Sequence, residues 1–305
     1  MQQNKTVSQQ KTINPVYWVP TAYFAMGLPF IAINLVSVFM FKDLGISDTQ
    51  IAFWTSLIMM PWTLKFLWSP FLEMYRTKKF FVLVTELLSG VLFGIVAFSL
   101  FFDYFFAISI STMAVIAFSG ATHDIACDGV YMAELNKEEQ AKYIGVQGAF
   151  YNVAKLVANG GLVAMAGALA EYFGAIEGAS LEANKGAYSY AWMIIFAVIA
   201  AIMVLIGLYH IRMLPSNQIP STTKKTTSEV GRELVAVIAN FFTKKHIFYY
   251  ICFIILYRED SSTFLTCFKR SWRIGIVFKR DRYVKWSFWF GSFCARLFAG
   301  RYLCL

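Results

Sequence analysis

The chain has 305 residues, of which 58% are hydrophobic and only 15% are charged, and its mean hydropathy is +0.56. Soluble domains carry about a quarter charged residues and roughly 45 to 50% apolar ones, so the composition excludes an ordinary water-soluble globule. Aromatic residues make up 18% of the chain, which is too many for a disordered protein. The composition predicts an integral membrane protein.

The net charge of +9 lies almost entirely at one end of the chain. Residues 258–305 hold 10 Lys and Arg against 3 Asp and Glu. Because the rest of the chain is close to neutral, we expect membrane lipid rather than nucleic acid as its partner. The five cysteines lack metal-ligand spacing, so we expect neither a metal nor a cofactor.

Six apolar runs are each long enough for a transmembrane helix, which needs about 20 residues. They cover approximately residues 16–41, 51–72, 80–102, 105–133, 140–170 and 186–212. The pattern predicts an all-α integral membrane fold, with a six-helix bundle over residues 16–212 that follows a tail at residues 1–15. A seventh span starts at residues 246–257.

The charges of the connections predict the orientation. Alternate connections, counted with the N-terminal tail, hold 13 Lys and Arg, whereas the remaining connections hold only Lys42 and Lys185. Positive loops stay in the cytoplasm, so we expect a multi-pass protein with a cytoplasmic N-terminus. Residues 213–245 are predicted to form a basic cytoplasmic linker. Six spans followed by such a linker resemble one half of a twelve-helix major facilitator transporter.

Residues 258–305 do not continue this pattern. Charges recur every few residues, and no uncharged run reaches the roughly 18 residues that a span requires. We interpret this anomalous basic tail as a frameshifted translation, so that the second bundle is missing or out of frame. The alternative is a peripheral tail that binds anionic lipid.

Ionisable side chains inside the predicted spans are candidates for function, because each costs about 2.5 to 3.5 kcal/mol to insert. Asp124 and Asp128 lie one helical turn apart on the same face. Matching of depth predicts the pairs Asp128 with Lys65 and Asp124 with Lys155. The complete set of candidates for proton coupling or the substrate pathway is Asp124, Asp128, Lys65, Lys155, Glu86, His123 and Asn34.

Each candidate has a functional and a structural interpretation. Asp124 or Asp128 could carry a proton, or both could form fixed ion pairs that join helices. His123 could relay protons or make an interhelical hydrogen bond. Asn34 could bind a solute hydroxyl or amide group, or join two helices. Gly90, Gly94 and Gly160 are predicted to allow close helix packing.

Two segments resemble a known family. Residues 121–129, Ala-Thr-His-Asp-Ile-Ala-Cys-Asp-Gly, look like the Ala-Thr-Gln-Asp-x-x-x-Asp-Ala signature of AmpG-like muropeptide permeases. This family is a branch of the major facilitator superfamily that also contains acetyl-coenzyme A transporters. Residues 61–70, Pro-Trp-Thr-Leu-Lys-Phe-Leu-Trp-Ser-Pro, are similar to its Pro-x-x-Leu-Lys-Phe-x-Trp-x-Pro segment. The likeness covers about residues 16–257.

The resemblance implies a proton-driven importer of cell-wall-derived muropeptides in the bacterial inner membrane. Asp124, Asp128 and Lys65 match the family's membrane charges. His123 stands where the family usually has Gln, and Gly129 where it has Ala. These departures leave the solute open, and acetyl-coenzyme A, a sugar or a peptide are alternatives.

Two other classes of function remain as alternatives. A non-transporting membrane partner would have the same composition. A prenyltransferase-like enzyme could bind magnesium through Asp124 and Asp128, but the chain offers no second acidic cluster, so we expect no enzyme. Alternating access needs two halves, so a lone half would have to form a homodimer or be inactive.

Overall fold

A computed structural model of the chain describes residues 13–69, 72, 77–176 and 178–215, together with positions 232, 236, 240 and 243. Almost all of the predicted tail at residues 1–15, most of the linker at 213–245, the start of the seventh span and residues 258–305 lie outside the described residues. The chain divides into two compact units, Met1–Leu234 and Val235–Leu305. The helices below all belong to the first unit.

Regular structure within the described ranges is entirely helical. Helix α1 comprises Pro15–Ile31, a π-helical turn at Ala32–Val36, and Ser37–Asp43. Helix α6 comprises Lys137–Leu156, a second π-helical turn at Val157–Leu162, and Val163–Tyr172. The other helices are α2 (Asp48–Ile58), α3 (Met60–Leu64), α4 (Lys78–Ser99), α5 (Phe105–Glu134) and α7 (Leu181–Met213).

Five of these helices are long and apolar enough to cross a membrane. They are α1, α4, α5, α6 and α7, with 29, 22, 30, 36 and 33 residues respectively. Each one coincides with an apolar run of the sequence, as expected for an all-α membrane protein.

One of the six predicted spans, at residues 51–72, is not one long helix. This run divides into α2, α3 and a 3-10 turn at Lys65–Leu67, none of which alone is long enough to span a membrane. The break has a physical cause, because Pro61 has no backbone N–H to donate to the carbonyl of Leu57. Helix α2 ends at Ile58, and Pro61 lies in the first turn of α3, where a missing N–H costs nothing.

Polar side chains cap the starts of the helices. The Asn14 side chain accepts from the N–H of Val16 at the start of α1, and the Thr77 hydroxyl accepts from Phe80 at the start of α4. Asn136 and Glu139 cap α6 by exchanging hydrogen bonds with each other's backbone. Such caps contribute about 1 kcal/mol each, and they fix the residue at which each helix begins.

Helix α4 packs between α5 and α7, and glycines allow the α4–α7 approach. A Cβ atom on Gly90 of α4 would lie 2.7 Å from Cγ2 of Val204 and 3.2 Å from the carbonyl oxygen of Ala200. A Cβ atom on Gly207 of α7 would lie 2.9 Å from Cδ2 of Leu87. The sequence reasoning named Gly90 and missed Gly207.

Gly94 and Gly160 are not at such contacts. Among the described residues, and apart from the backbone of its own helix, no atom lies within 4 Å of the position of a Cβ on Gly94; at Gly160 the neighbour is Leu156 of the same helix, at 3.8 Å. The four-residue spacing of Gly90 and Gly94 predicted that both allow close helix packing. At Gly94, one turn further along α4, the backbone of the neighbouring helix is no longer close.

Replacing Gly90 and Gly94 by alanine separates these two environments. We expect Gly94→Ala to raise the free energy of unfolding by about 0.5 to 1 kcal/mol, because alanine favours the helix. Gly90→Ala should instead lower it by about 1 to 3 kcal/mol, because the methyl group overpacks the contact with α7. Thermal unfolding in detergent measures both, and equal melting temperatures would contradict the assignment of Gly90 to a close contact.

Candidate functional site

A buried carboxylate and two histidines form the first polar cluster. Glu86 of α4 is fully buried, His210 of α7 is also fully buried, and His123 of α5 is 3% exposed. Nδ1 of His210 lies 2.8 Å from Oε1 and 2.9 Å from Oε2 of Glu86. Nε2 of His123 lies 3.1 Å from Oε1. We call these three residues the Glu86 cluster.

Thr21 connects this cluster to α1. Its hydroxyl lies 2.8 Å from Nε2 of His210 and also donates to the carbonyl oxygen of Trp18 at 3.1 Å. The cluster therefore joins α1, α4, α5 and α7 through side chains that lie between them.

The hydrogen bonds constrain the histidine tautomers. An ionised carboxylate only accepts hydrogen bonds, so with Glu86 ionised both Nδ1 of His210 and Nε2 of His123 must carry protons. Nδ1 of His123 is buried and has no hydrogen-bond partner. A bare Nδ1 is less costly there than an unpaired N–H group, so this ring favours the tautomer protonated at Nε2.

The second polar cluster contains the two aspartates of α5. Nζ of Lys65 lies 3.4 Å from Oδ2 of Asp124, and these side chains are 39% and 13% exposed. The Tyr23 hydroxyl of α1 donates to Oδ1 of Asp128 at 2.9 Å. We call Lys65, Asp124, Asp128 and Tyr23 the aspartate cluster. It differs from the Glu86 cluster because its ion pair keeps partial access to the surroundings.

The ion pairs differ from those predicted. Lys65 pairs with Asp124 rather than with Asp128, and Lys155 pairs with neither aspartate. The ammonium of Lys155 lies 4.6 Å from the centre of the Tyr151 ring, and in the described ranges no carboxylate lies within salt-bridge distance of it. Matching of depth placed Asp124 with Lys155 and Asp128 with Lys65, and the observed pair shows that this match was wrong; the rotation of each helix decides which side chains meet.

Asn34 lies apart from both clusters. It is an exposed residue of the π-helical turn in α1, and its side chain makes no hydrogen bond within the described part of the chain. Gly129, one of the departures from the family signature, faces the side chain of Lys78.

Sequence reasoning missed three members of these clusters. His210 lies close to the end of α7, and a polar residue in that position normally indicates that the transmembrane span has ended. Thr21 and Tyr23 carry no charge, so a search for buried charges passes over them. A signal existed for His210, because a histidine within an apolar run needs a partner as much as Glu86 does.

Comparison with known proteins identifies no family for this chain. A scan against models of protein families found no match, and a search of curated proteins found none either. Within the described ranges, no group of His, Cys, Asp or Glu side chains has the arrangement of a metal site. What the two clusters do must be argued from their own residues.

Removing the carboxylate of Glu86 should destabilise the protein strongly. We expect Glu86→Ala to lower the free energy of unfolding by about 2 to 6 kcal/mol, because it leaves two buried histidine N–H groups without an acceptor, at about 1 to 3 kcal/mol each. Thermal unfolding in detergent tests this.

The matched control is Asp48→Ala, which breaks an exposed pair. Asp48 lies 3.4 Å from Lys42, and their side chains are 80% and 63% exposed. Exposed pairs contribute little, so the control should melt close to the wild type. Similar melting temperatures for the two variants would show that the Glu86 cluster does not hold the helices together.

Proposed function

We propose that this chain is the N-terminal half of a proton-coupled importer of the major facilitator type in the bacterial inner membrane. Cell-wall-derived muropeptides are the first solute to test. The observation that carries the proposal is the ion pair of Lys65 with Asp124, at 3.4 Å. These residues belong to the two segments that separately resemble AmpG-like permeases, and a functional site requires such segments to meet.

Asp124 is the better of the two aspartates for carrying a proton. Its carboxylate is held by one lysine, and this lysine lies in the 3-10 turn that follows α3. Protonation of Asp124 would remove its attraction to Lys65 and loosen the turn from α5. A carboxyl group that exchanges an ion pair for a proton supplies the coupling that a proton-driven transporter needs.

Asp128 and the Glu86 cluster have supporting roles in this proposal. Asp128 accepts a hydrogen bond from Tyr23, which keeps α5 against α1. Glu86 is fully buried and bonded on both sides, which suits a permanent connection better than a group that exchanges protons.

The proposal needs a sixth span, and residues 48–69 are the candidate. They follow a helical path with irregular points at Met59 and at Lys65–Leu67. A path of this length rises by about 30 Å, which matches a hydrocarbon core roughly 30 Å thick. Broken helices are common where transporters bind solutes or ions.

Transport by an Asp124→Asn variant tests the proton role. We expect the wild-type chain to transport as a homodimer, so that vesicles containing it accumulate radiolabelled muropeptide and a protonophore abolishes the accumulation. Asp124→Asn should lose at least nine-tenths of the gradient-driven uptake, because asparagine does not exchange a proton; this corresponds to about 1.4 kcal/mol or more.

The control variant is Asp48→Asn, at the exposed pair with Lys42. It removes the same charge from a pair of the same length, and it should transport like the wild type. Normal accumulation by Asp124→Asn would show that Asp124 does not carry the proton.

A non-transporting membrane protein is the second candidate. It is favoured by the enclosure of the Glu86 carboxylate, which both histidines contact, since buried and hydrogen-bonded charges often only fix helices. In that case the wild-type chain would show no gradient-driven uptake of any solute.

Cysteine labelling tests the proposed orientation. Asp103 lies between α4 and α5, Lys137 lies at the start of α6, and both are exposed. In a background without the native cysteines, a membrane-impermeant maleimide added to spheroplasts should label Asp103→Cys and not Lys137→Cys. The reverse result would place the N-terminus outside the cytoplasm or show that residues 48–69 do not cross the membrane.

A further inference from the structure

Lys155 is a cation near the middle of a span, and no carboxylate of the described residues lies within salt-bridge distance of it. It lies in the central part of the 36-residue helix α6, and its ammonium lies 4.6 Å from the centre of the Tyr151 ring. A charge at that depth is costly unless it is paired or faces water. Because Asp124 pairs with Lys65, no acidic side chain within the described ranges offsets the charge of Lys155, and this charge is open to an anion.

Two π-helical turns meet beside Lys155. The turn of α1, Ala32–Val36, contacts the turn of α6, Val157–Leu162. The two helices approach closely before this point, since a Cβ atom on Gly27 would lie 2.9 Å from the carbonyl oxygen of Tyr151. Along both helices, the contact of Gly27 with Tyr151 comes before the contact between the two π-helical turns, so α1 and α6 run parallel here.

Each π-helical turn carries an asparagine. Asn34 and Asn159 are both exposed, and neither side chain makes a hydrogen bond to any residue that the structure describes. By contrast, Asn152 one turn before Lys155 donates to the carbonyl oxygen of Gly148 of its own helix. Asn34 and Asn159 therefore keep their full capacity to donate and accept, and π-helical turns are frequent at functional sites.

The exposed surface of α6 that follows Lys155 by one turn is small and polar. Gly160 and Gly161 follow Asn159 and are also exposed, and α6 is the least buried of the five long helices. Small and polar residues on a membrane helix usually face protein or a water-filled cavity rather than acyl chains.

We propose that Lys155, Asn34 and Asn159 form a binding site for the carboxylate and a neighbouring amide or hydroxyl group of a polar solute. Lys155 supplies the charge, and the two asparagines recognise groups that both donate and accept. As a site in a transport path it rests on the proposed importer, but binding itself requires no transport.

The test is equilibrium binding of two radiolabelled sugars to the purified full chain in nanodiscs. N-acetylmuramic acid carries a lactyl carboxylate, whereas N-acetylglucosamine has the same ring and amide without it. We expect the acid to bind more tightly, and Lys155→Met to weaken its binding by about tenfold or more, because a charged hydrogen bond is lost.

Three further variants make the test specific. Lys155→Met should leave the binding of N-acetylglucosamine unchanged, whereas Asn159→Ala should weaken both sugars. Lys155→Arg should keep the binding of the acid, since arginine preserves the charge. Lys42→Met, at an exposed lysine, should bind both sugars like the wild type.

The site is overturned if N-acetylmuramic acid does not bind the wild-type chain, or if Lys155→Met binds it normally. Equal losses for both sugars in Lys155→Met, at unchanged melting temperature, would also overturn it. The binding measurement uses no proton gradient. If the wild-type chain binds N-acetylmuramic acid but shows no gradient-driven uptake, the proposed importer is overturned and this site is not. Gradient-driven uptake that persists in the Lys155→Met variant would overturn this site and leave the proposed importer supported.

Discussion

The contact of Glu86 with two histidines is the constraint on which the rest of the bundle depends. A carboxylate that is fully removed from water loses several kcal/mol of solvation, and only well-placed partners offset that loss. Here the partners come from α5 and α7, and Thr21 of α1 completes the chain of hydrogen bonds. Neutralising one buried charge therefore fixes the rotation of four helices at once.

That rotation also decides where the two aspartates lie. Successive residues of a helix point about 100° apart, so turning His123 toward Glu86 turns Asp124 toward another face of α5. There it meets Lys65, and one turn later Asp128 meets Tyr23. A single helix thus carries an enclosed connection on one side and an ion pair with partial access on another. The proposed importer would need this separation, because its bundle would have to stay assembled while the Lys65–Asp124 pair opens and closes.

The sequence predicts the features that depend on hydropathy and on the cost of burying a charge, and it predicts little else. The five long helices follow from apolar runs, and Glu86, His123 and Asp124 are recognisable because charges in spans are expensive. The pairings depend on helix rotation, which is set by packing that no local pattern records. Proline shows the same limit: Pro61 interrupts its run, whereas Pro20 and Pro29 stand inside the continuous helix Pro15–Ile31.

The Glu86 cluster lies at a different level of the bundle from Lys155, Asn34 and Asn159. The residues of the Glu86 cluster lie near the start of α4 and the end of α7, and Thr21 lies near the start of α1. Because α4 and α7 run in opposite directions, these positions share one end. Lys155, Asn34 and Asn159 lie further along α1 and α6, where the π-helical turns meet. Binding sites need groups that are free to pair with a ligand yet held by a rigid support. In the proposed site, the enclosed carboxylate would provide the support at one end, and the middle of α6 would carry the groups that bind.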